Sequence, residues 1–167
     1  THAANLMLNN LSYTDNKRTL GLIYIIRDPR DIVVSYSYHT GKSISDRTDF
    51  ITNNRSVIIN PRRISVPLSS WDVHVKSWSL LNVPKYIIKF EDLIKNTEKH
   101  LLELIRFMQD ELKIEFEINE NKIENIIKNC SFKNLRKQEN KYGFDEKLNG
   151  NFFRKGISGQ WLNELSK

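Results

Sequence analysis

Apolar residues along the chain fall into two short continuous runs and several segments of helical period. The runs cover residues 22–27 and 85–90, and runs of this length are typical of strands buried on both faces. Directly after the first run, Asp28 can cap a helix that has Pro29 at its first position and extends to about His39. The pattern therefore predicts a strand–turn–helix unit near the start of the chain.

Helical periodicity also marks four later segments. The clearest begins at a capping pattern, Asn96 or Thr97 followed by acidic residues, and stays amphipathic through Leu112. The other helices are predicted over residues 70–81, 119–129 and 131–139.

Two stretches lack a clear period. Residues 40–67 are rich in Gly, Ser, Asn and Pro, so they are predicted to form a long mobile loop near a functional face. Residues 143–161 mix glycines with aromatic and basic side chains and are predicted to form a structured loop. Because strands alternate with helices, we expect an α/β fold with a mostly parallel sheet that binds ligands at the carboxyl ends of its strands.

Composition fits one domain, residues 1–167, since the chain has 167 residues of which 39% are hydrophobic. The longest uncharged apolar stretch, residues 20–26, is far shorter than the roughly 20 residues of a membrane helix. The single cysteine, Cys130, cannot form an internal disulfide. We therefore expect a cytoplasmic protein with no membrane span. The chain begins without Met, so we also expect it to be cut from a longer one.

The formal net charge of +6 suggests an anionic partner: nucleic acid, a membrane surface, an acidic polymer or a phosphorylated small molecule. Arg27 follows the first strand beside a helix N-terminus, where free N–H groups and the helix dipole favour an anion, and Ser35 lies two turns into that helix. The alternative is that Arg27 pairs with Asp28 or Asp31 and only caps the sheet. This segment alone leaves both possibilities open.

A second basic cluster lies near the end of the chain. Arg154 and Lys155 precede Gly156, and a turn with glycine lets the backbone approach a ligand closely. The alternative for this segment is an ordinary solvated basic loop, which we favour when the segment is taken by itself.

Five segments form a distinctive set, in this order along the chain: "YIIRDPRDIVVSY", "SWDVHVKSW", "YIIKFEDL", "CSFKNL" and "FFRKGISGQW". Taken together, they resemble the sulfotransferases that use 3′-phosphoadenosine 5′-phosphosulfate (PAPS). The resemblance covers nearly the whole chain and implies a three-layer, P-loop-like α/β fold. It also implies that both basic clusters bind one ligand, the 3′-phosphate of PAPS or of its product adenosine 3′,5′-bisphosphate (PAP). The residues it assigns to that phosphate are Arg27, Ser35, Arg154, Lys155 and Gly156.

The resemblance also assigns residues to the adenine and to catalysis. Phe90 occupies the position of a tyrosine that contacts adenine, and Phe132, in the stretch beginning at Cys130, is implied to stack on the base; both phenylalanines could instead be core residues. His2, in the opening "TH", corresponds to the histidine that removes the acceptor's proton. Its alternative is an inert terminal histidine.

The sequence contains no glycine-rich "PKSGTTW" segment, with which the family binds the 5′-phosphosulfate. We therefore expect an N-terminally truncated domain that transfers a sulfuryl group to a hydroxyl or amine in its parent protein but is weakly active or inactive alone. The runner-up is a P-loop-type kinase, with Asp28 or Asp31 as magnesium ligand. A third possibility is a non-catalytic module that binds anions, RNA or an acidic glycan.

Partners are predicted in less detail. The lysines are spread over amphipathic helices rather than concentrated on one, so nucleic acid is not expected, and no metal-ligand spacing joins the histidines to the cysteine. The oligomeric state stays open.

His39 is expected near the acceptor pocket, His74 in helix packing and His100 on the surface. Basic residues between 40 and 67 hint at an anionic or sugar-like acceptor, a small molecule or glycan: Lys42, Arg47, Arg55, Arg62 and Arg63.

Overall fold

The computed structural model describes residues 3–8, 11–59 and 65–165. In chain order, its first half comprises β1 (Met7–Leu8), β2 (Leu11–Ser12), β3 (Leu22–Ile26), α1 (Pro29–Thr40), α2 (Ile44–Thr52), β4 (Val57–Ile58), β5 (Val66–Pro67) and α3 (Trp71–Ser79). The second half comprises β6 (Lys85–Lys89), α4 (Phe90–Lys95), α5 (Thr97–Asp110), α6 (Glu120–Asn129), α7 (Phe132–Tyr142) and α8 (Trp161–Glu164).

The two predicted strands, β3 and β6, pair in parallel. Their register runs from Leu22 opposite Lys85 to Ile26 opposite Lys89. β1 pairs with β2 and β4 with β5, in both cases antiparallel. The predicted α/β class with a parallel sheet is therefore confirmed, and in the described residues that sheet has two strands.

The register of the parallel pair decides which side chains share a face. Side chains alternate along a strand, so Ile23 and Ile25 lie on the same face as Tyr86 and Ile88. On the opposite face, the Tyr24 hydroxyl lies 2.7 Å from Nδ1 of His74 in α3. Since both strands run the same way, the residues that follow them, beginning at Arg27 and Phe90, meet at one edge of the sheet.

The core forms where α1, α3 and α5 pack around the sheet. Val34 of α1 is completely buried and Ile88 of β6 is 7% exposed. Trp78 of α3 is also buried, and its indole N–H donates to the Ala3 carbonyl at 3.0 Å. Buried tryptophan normally needs such a partner, because an unpaired N–H would lose its hydration.

The N-terminus of α1 has the predicted geometry. Asp28 is the N-cap, and its Oδ1 accepts from the Arg30 amide at 2.9 Å, while Pro29 occupies the first turn. α1 ends at Gly41, whose φ of +65° is easily adopted by glycine.

Residues 40–67 differ from the prediction of an irregular loop. They contain α2 and the β4–β5 pair. Ser43 accepts from the Asp46 amide at 3.0 Å while the Asp46 carboxylate accepts from the Ser43 amide at 3.2 Å. This reciprocal capping box is readable in the sequence as serine followed three residues later by aspartate.

Helix boundaries elsewhere shift by a few residues. Phe90, predicted as the end of a strand, begins the short helix α4, and α7 continues to Tyr142 instead of ending near Glu139. The expected capping pattern of α5 is wrong in detail, because N-cap Asn96 makes no side-chain capping bond and the Thr97 hydroxyl donates to the Leu93 carbonyl. Each helix found in the described part of the chain is too short or too polar to cross a bilayer.

The half-buried face of β3 that carries Tyr24 yields a prediction about pH. Burial raises the pKa of the Tyr24 hydroxyl from 10.0 to about 12. Between these values the unfolded chain releases the tyrosine proton while the folded chain keeps it, so this contribution to stability is complete below pH 10 and falls as pH rises. In a spectroscopic titration of tyrosinate, we expect one tyrosine to titrate near pH 12 and to be missing from Tyr24→Phe. A Tyr24→Phe titration identical to the original would contradict this assignment.

Candidate functional site

The face of the parallel sheet that carries Ile23, Ile25, Tyr86 and Ile88 forms the wall of a cavity of about 960 Å³. The rest of the lining comes from α1, α4, α5, α6, the start of α7 and the loop before α8. The residues predicted to hold the nucleotide all line this cavity: Arg27, Ser35, Phe90, Cys130, Phe132, Arg154, Lys155 and Gly156. His2, the predicted base, lies outside the described residues.

Arg27 connects the sheet edge to the distant basic turn. Its Nη2 donates to the Ile157 carbonyl at 3.0 Å, across a separation of 130 residues. Its guanidinium lies 4.5 Å above the centre of the Phe90 ring. Burial lowers the pKa of Arg27 and the positive charge of Arg154 adds to this effect, although the Asp31 and Glu91 carboxylates oppose it.

Arg27 also retains a free hydrogen-bonding group. Its Nε is buried and has no partner in the structure. The alternative in which Arg27 merely pairs with the nearby aspartates is not what the structure has, because Asp28 pairs with Arg30 at 2.7 Å and both Asp31 carboxylate oxygens accept backbone amides. A half-buried cationic group that has a buried, unused donor is suited to an anionic ligand.

The basic turn supplies two further cations. The Arg154 guanidinium lies 3.7 Å above the Tyr38 ring, donates to the side-chain oxygen of Gln160 and comes within 3.6 Å of the Glu164 carboxylate. Lys155 Nζ contacts the same carboxylate at 2.5 Å. These contacts keep the side chains of the turn together beside Arg27. The single carboxylate of Glu164 thus faces two basic side chains, those of Arg154 and Lys155.

Gly156 is placed against an aromatic ring of the cavity. Its φ is +64°, and a Cβ at this position would clash with Phe132, whose Cε2 would be only 2.6 Å away. Phe132 in turn meets Phe153 edge to face, with 6.4 Å between ring centres. The turn therefore packs as closely on Phe132 as glycine alone permits.

Sequence reasoning missed the role of two acidic residues that support the turn. Asp31 is completely buried, and its two carboxylate oxygens accept from the amides of Gly159 and Trp161. Glu139 is 4% exposed and accepts from the amides of Phe152 and Phe153. Locally, each looks like an ordinary charged residue of a helix, so no pattern within one segment could have identified it.

The other histidines occupy different environments. His39 lines the cavity, with its ring centre 5.5 Å from that of Phe152 and its Nδ1 buried without a partner; its expected place near the acceptor stays a prediction. Burial lowers the pKa of His39, while Glu146 acts in the opposite direction. The prediction that His100 lies on the surface is wrong: its side chain is 15% exposed, with Nδ1 2.9 Å from the Glu103 carboxylate.

Basic residues expected to recognise the acceptor are only partly described. The Arg47 guanidinium lies above the rings of Tyr36 and Phe50, at 4.9 and 5.1 Å. Arg62 and Arg63 fall outside the described residues. The structure therefore leaves the anionic or sugar-like acceptor a prediction.

With this geometry in place, comparisons with known proteins define the class. The model of the sulfotransferase domain family matches residues 6–167, and the chain belongs to that family. It is similar to the 3-beta-hydroxysteroid sulfotransferase of Cavia porcellus, with 29% identity over 153 residues that cover 87% of this chain and 50% of that protein. The luciferin sulfotransferase of Photinus pyralis is 32% identical over 158 residues, covering 87% and 40%.

A plant relative and two solved structures extend the comparison. The flavonol 4'-sulfotransferase of Flaveria chlorifolia is 32% identical, covering 85% of this chain and 47% of that protein. The mouse sulfotransferase SULT7A1 complexed with PAP superimposes with a TM-score of 0.61 at 23% identity, covering 86% and 52%. Retinol dehydratase in complex with retinol and PAP gives 0.59 at 19% identity, covering 86% and 42%. The chain spans about half the length, or less, of these proteins.

The packing of the turn on Phe132 leads to a stability prediction. Gly156→Ala should lower the free energy of unfolding by at least about 2 kcal/mol, because a left-handed backbone strains alanine and the new methyl group must displace the ring. Gly150→Ala is the matched control, since Gly150 has φ +57° with no atom within 4 Å of an added Cβ, and we expect about 1 kcal/mol there. Urea denaturation measures both values. Equal losses would show that the Phe132 contact does not constrain residue 156.

Proposed function

We propose that this chain is the nucleotide-binding part of a sulfotransferase that uses PAPS, and that it binds the 3′-phosphate of PAPS or PAP between its two basic segments. The observation that carries the proposal is the hydrogen bond from Arg27 to the Ile157 carbonyl, 130 residues away. It brings the strand-end arginine to the turn that contains Arg154, Lys155 and Gly156. Separate ligands for the two segments are therefore not needed.

The charges of the cavity support a phosphate at this place. Arg27, Arg154 and Lys155 all line it, and Ser35 adds a hydroxyl from the second turn of α1. The unpartnered Arg27 Nε is a donor available to a phosphate oxygen. Arginine suits a phosphate particularly well because its planar guanidinium can donate two parallel hydrogen bonds.

Aromatic side chains of the same cavity support an adenine base. Phe132 and Phe90 line it, and Cys130 lies at the exposed end of α6 close to Phe132 in sequence. We infer that Phe132 stacks on the base and that Phe90, which stands where the family has tyrosine, contributes its ring without a hydroxyl. The Phe90 ring also stabilises the position of the Arg27 guanidinium through the cation–π contact.

The reaction follows from the family. PAPS supplies the sulfuryl group, and the acceptor oxygen attacks its sulfur while PAP leaves. We infer that His2 accepts the proton of the acceptor hydroxyl, since imidazole titrates close to neutral pH. The acceptor is inferred to be a small alcohol or phenol, because relatives are named for a hydroxysteroid, luciferin and flavonol; an amine or a glycan is a less favoured class. Cytoplasmic location stays a prediction.

The kinase alternative has less support. A P-loop-type kinase would use a carboxylate near the phosphates to hold magnesium. Both oxygens of Asp28 face the Arg30 guanidinium, and both oxygens of Asp31 accept backbone amides. Neither carboxylate is free for a metal without breaking these hydrogen bonds.

Ligand binding by the chain itself is the direct test. At a PAP concentration of 100 times Kd, binding should add about 2.7 kcal/mol to the stability of the fold, which corresponds to a rise in Tm of roughly 5–10 °C for a domain of this size. Arg27→Ala should abolish the rise, because it removes the central cation. Arg106→Ala, an exposed arginine of α5, is the matched control and should keep it.

Three results would count against the proposal. An unchanged Tm with PAP would contradict nucleotide binding by this chain. The same rise in Arg27→Ala would place the nucleotide elsewhere. A shift produced equally by RNA or by a sulfated glycan would favour the non-catalytic anion-binding module.

Catalysis needs the complete parent protein. There, His2→Asn should lower the rate of sulfuryl transfer from labelled PAPS by roughly 10²–10⁴-fold, the usual contribution of a general base. PAP affinity should stay unchanged, because His2 is not proposed to contact the nucleotide's 3′-phosphate. His74→Asn serves as a control for a histidine of the packing layer behind β3. A variant at residue 2 with full activity would refute the assignment of the base.

A further inference from the structure

The turn that carries Arg154, Lys155 and Gly156 is fixed on its C-terminal side by a residue of α1. The Gly159 amide donates to Asp31 Oδ2 at 2.7 Å, and the Trp161 amide donates to Asp31 Oδ1 at 3.0 Å. These bonds join positions 128 and 130 residues apart in the chain. Asp31 is completely buried, so water does not compete for its oxygens.

A second carboxylate fixes the N-terminal side of the turn. The Phe152 amide donates to Glu139 Oε1 at 2.6 Å, and the Phe153 amide donates to Oε2 at 3.0 Å. Glu139 belongs to α7 and is 4% exposed. The two acids thus form hydrogen bonds to the backbone immediately before and shortly after residues 154–156.

The choice of partners for these acids has an electrostatic consequence. Each oxygen of Asp31 and Glu139 is used by one backbone amide, so neither acid forms a side-chain ion pair with Arg27, Arg154 or Lys155. A buried carboxylate needs hydrogen bonds to remain stable, and amides supply them without consuming positive charge. Neither acid therefore occupies a hydrogen-bond donor of these cations; the acid that pairs with Arg154 and Lys155 is Glu164.

We propose that Asp31 and Glu139 are positioning residues for the 3′-phosphate site: they hold residues 152–161 in the binding conformation before a nucleotide arrives. The inference rests on the proposed function. It identifies two residues that determine the preference for a nucleotide with a 3′-phosphate. A loop that is already ordered does not lose conformational entropy on binding, and its phosphate contacts form at full strength.

The test compares two nucleotides by calorimetric titration of the chain. The first is PAP and the second is adenosine 5′-monophosphate, which lacks the 3′-phosphate. Asp31→Asn keeps the shape of the side chain but turns an N–H donor toward one of the two amides. We expect its Kd for PAP to rise about tenfold or more, as expected when a buried hydrogen bond is replaced by an unpaired donor. Its Kd for adenosine 5′-monophosphate should change less than about twofold.

Loss of selectivity separates positioning from a general loss of stability. A variant that is merely less stable binds both nucleotides less well in proportion to its unfolded fraction, and the ratio of the two Kd values is unchanged. Glu139→Gln should likewise reduce the preference for PAP, measured as the Kd for adenosine 5′-monophosphate divided by the Kd for PAP. Asp15→Asn is the matched control, because Asp15 also accepts two backbone amides, those of Lys17 and Arg18, in a turn away from this cavity.

Hydrogen exchange of the original chain tests the same inference without any substitution. Before ligand is added, the amides of Phe152, Phe153, Gly159 and Trp161 should exchange slowly, and PAP should slow them little further. Rapid exchange that becomes slow only with PAP would overturn the inference, because the turn would then be ordered by the ligand. A folded Asp31→Asn variant with the original Kd ratio would also overturn it.

The outcomes distinguish this inference from the proposed function. If the original chain does not bind PAP, the proposed function fails, and the exchange rates still decide whether the two carboxylates hold the turn. If it binds PAP and both variants keep the original selectivity, only the positioning role fails. If neither variant folds, the exchange experiment on the original chain decides the question.

Discussion

The functional site depends on how the chain pairs the ionised groups that it removes from water. Burying an isolated charge is costly, so each buried acid or base must find a partner or bind a ligand. Behind the basic turn, the buried acids Asp31 and Glu139 accept hydrogen bonds from backbone amides, whereas Arg27, which lines the cavity, keeps a buried nitrogen without a partner. Because Asp31 and Glu139 bind the loop amides and form no ion pair with the bases, Glu164 is the acid that pairs with Arg154 and Lys155, and Arg27 keeps its positive charge without an ion pair among the described residues.

The parallel pairing of β3 and β6 sets the position of the site. Because the strands are in parallel register, their carboxyl ends deliver Arg27 and Phe90 to one edge, where the guanidinium lies over the ring. The helices that follow, α1 and α4, begin at this same edge, and Glu91 of α4 accepts from the Asp28 amide at 3.0 Å. Because the two neighbouring strands end at the same edge, a cation, an aromatic ring and a helix N-terminus lie close together there.

Much of this arrangement could be predicted from local sequence. The β3–α1 unit follows from an apolar run, an aspartate cap and proline at the first turn, and the structure has each of them. Resemblance to the family then selected residues as distant as Arg27 and Arg154, and both line one cavity. Short elements were harder to predict. The helix α2 was not predicted because its nine residues carry only a weak apolar period, although its capping box can be recognised in the sequence.

The carboxylates that hold the basic turn mark the limit of such prediction. Whether an acid on a helix is solvated or buried depends on which amides the rest of the fold leaves without partners. For Asp31 those amides lie 128 and 130 residues away, and for Glu139 they lie in a following loop, 13 and 14 residues away. Asp31 therefore looks like a favourable charge in the first turn of α1, yet its oxygens are used by Gly159 and Trp161. Glu164 differs from these two acids, because it pairs with the side chains of Lys155 and Arg154. Its role emerges only when α8 is placed beside the turn that precedes it.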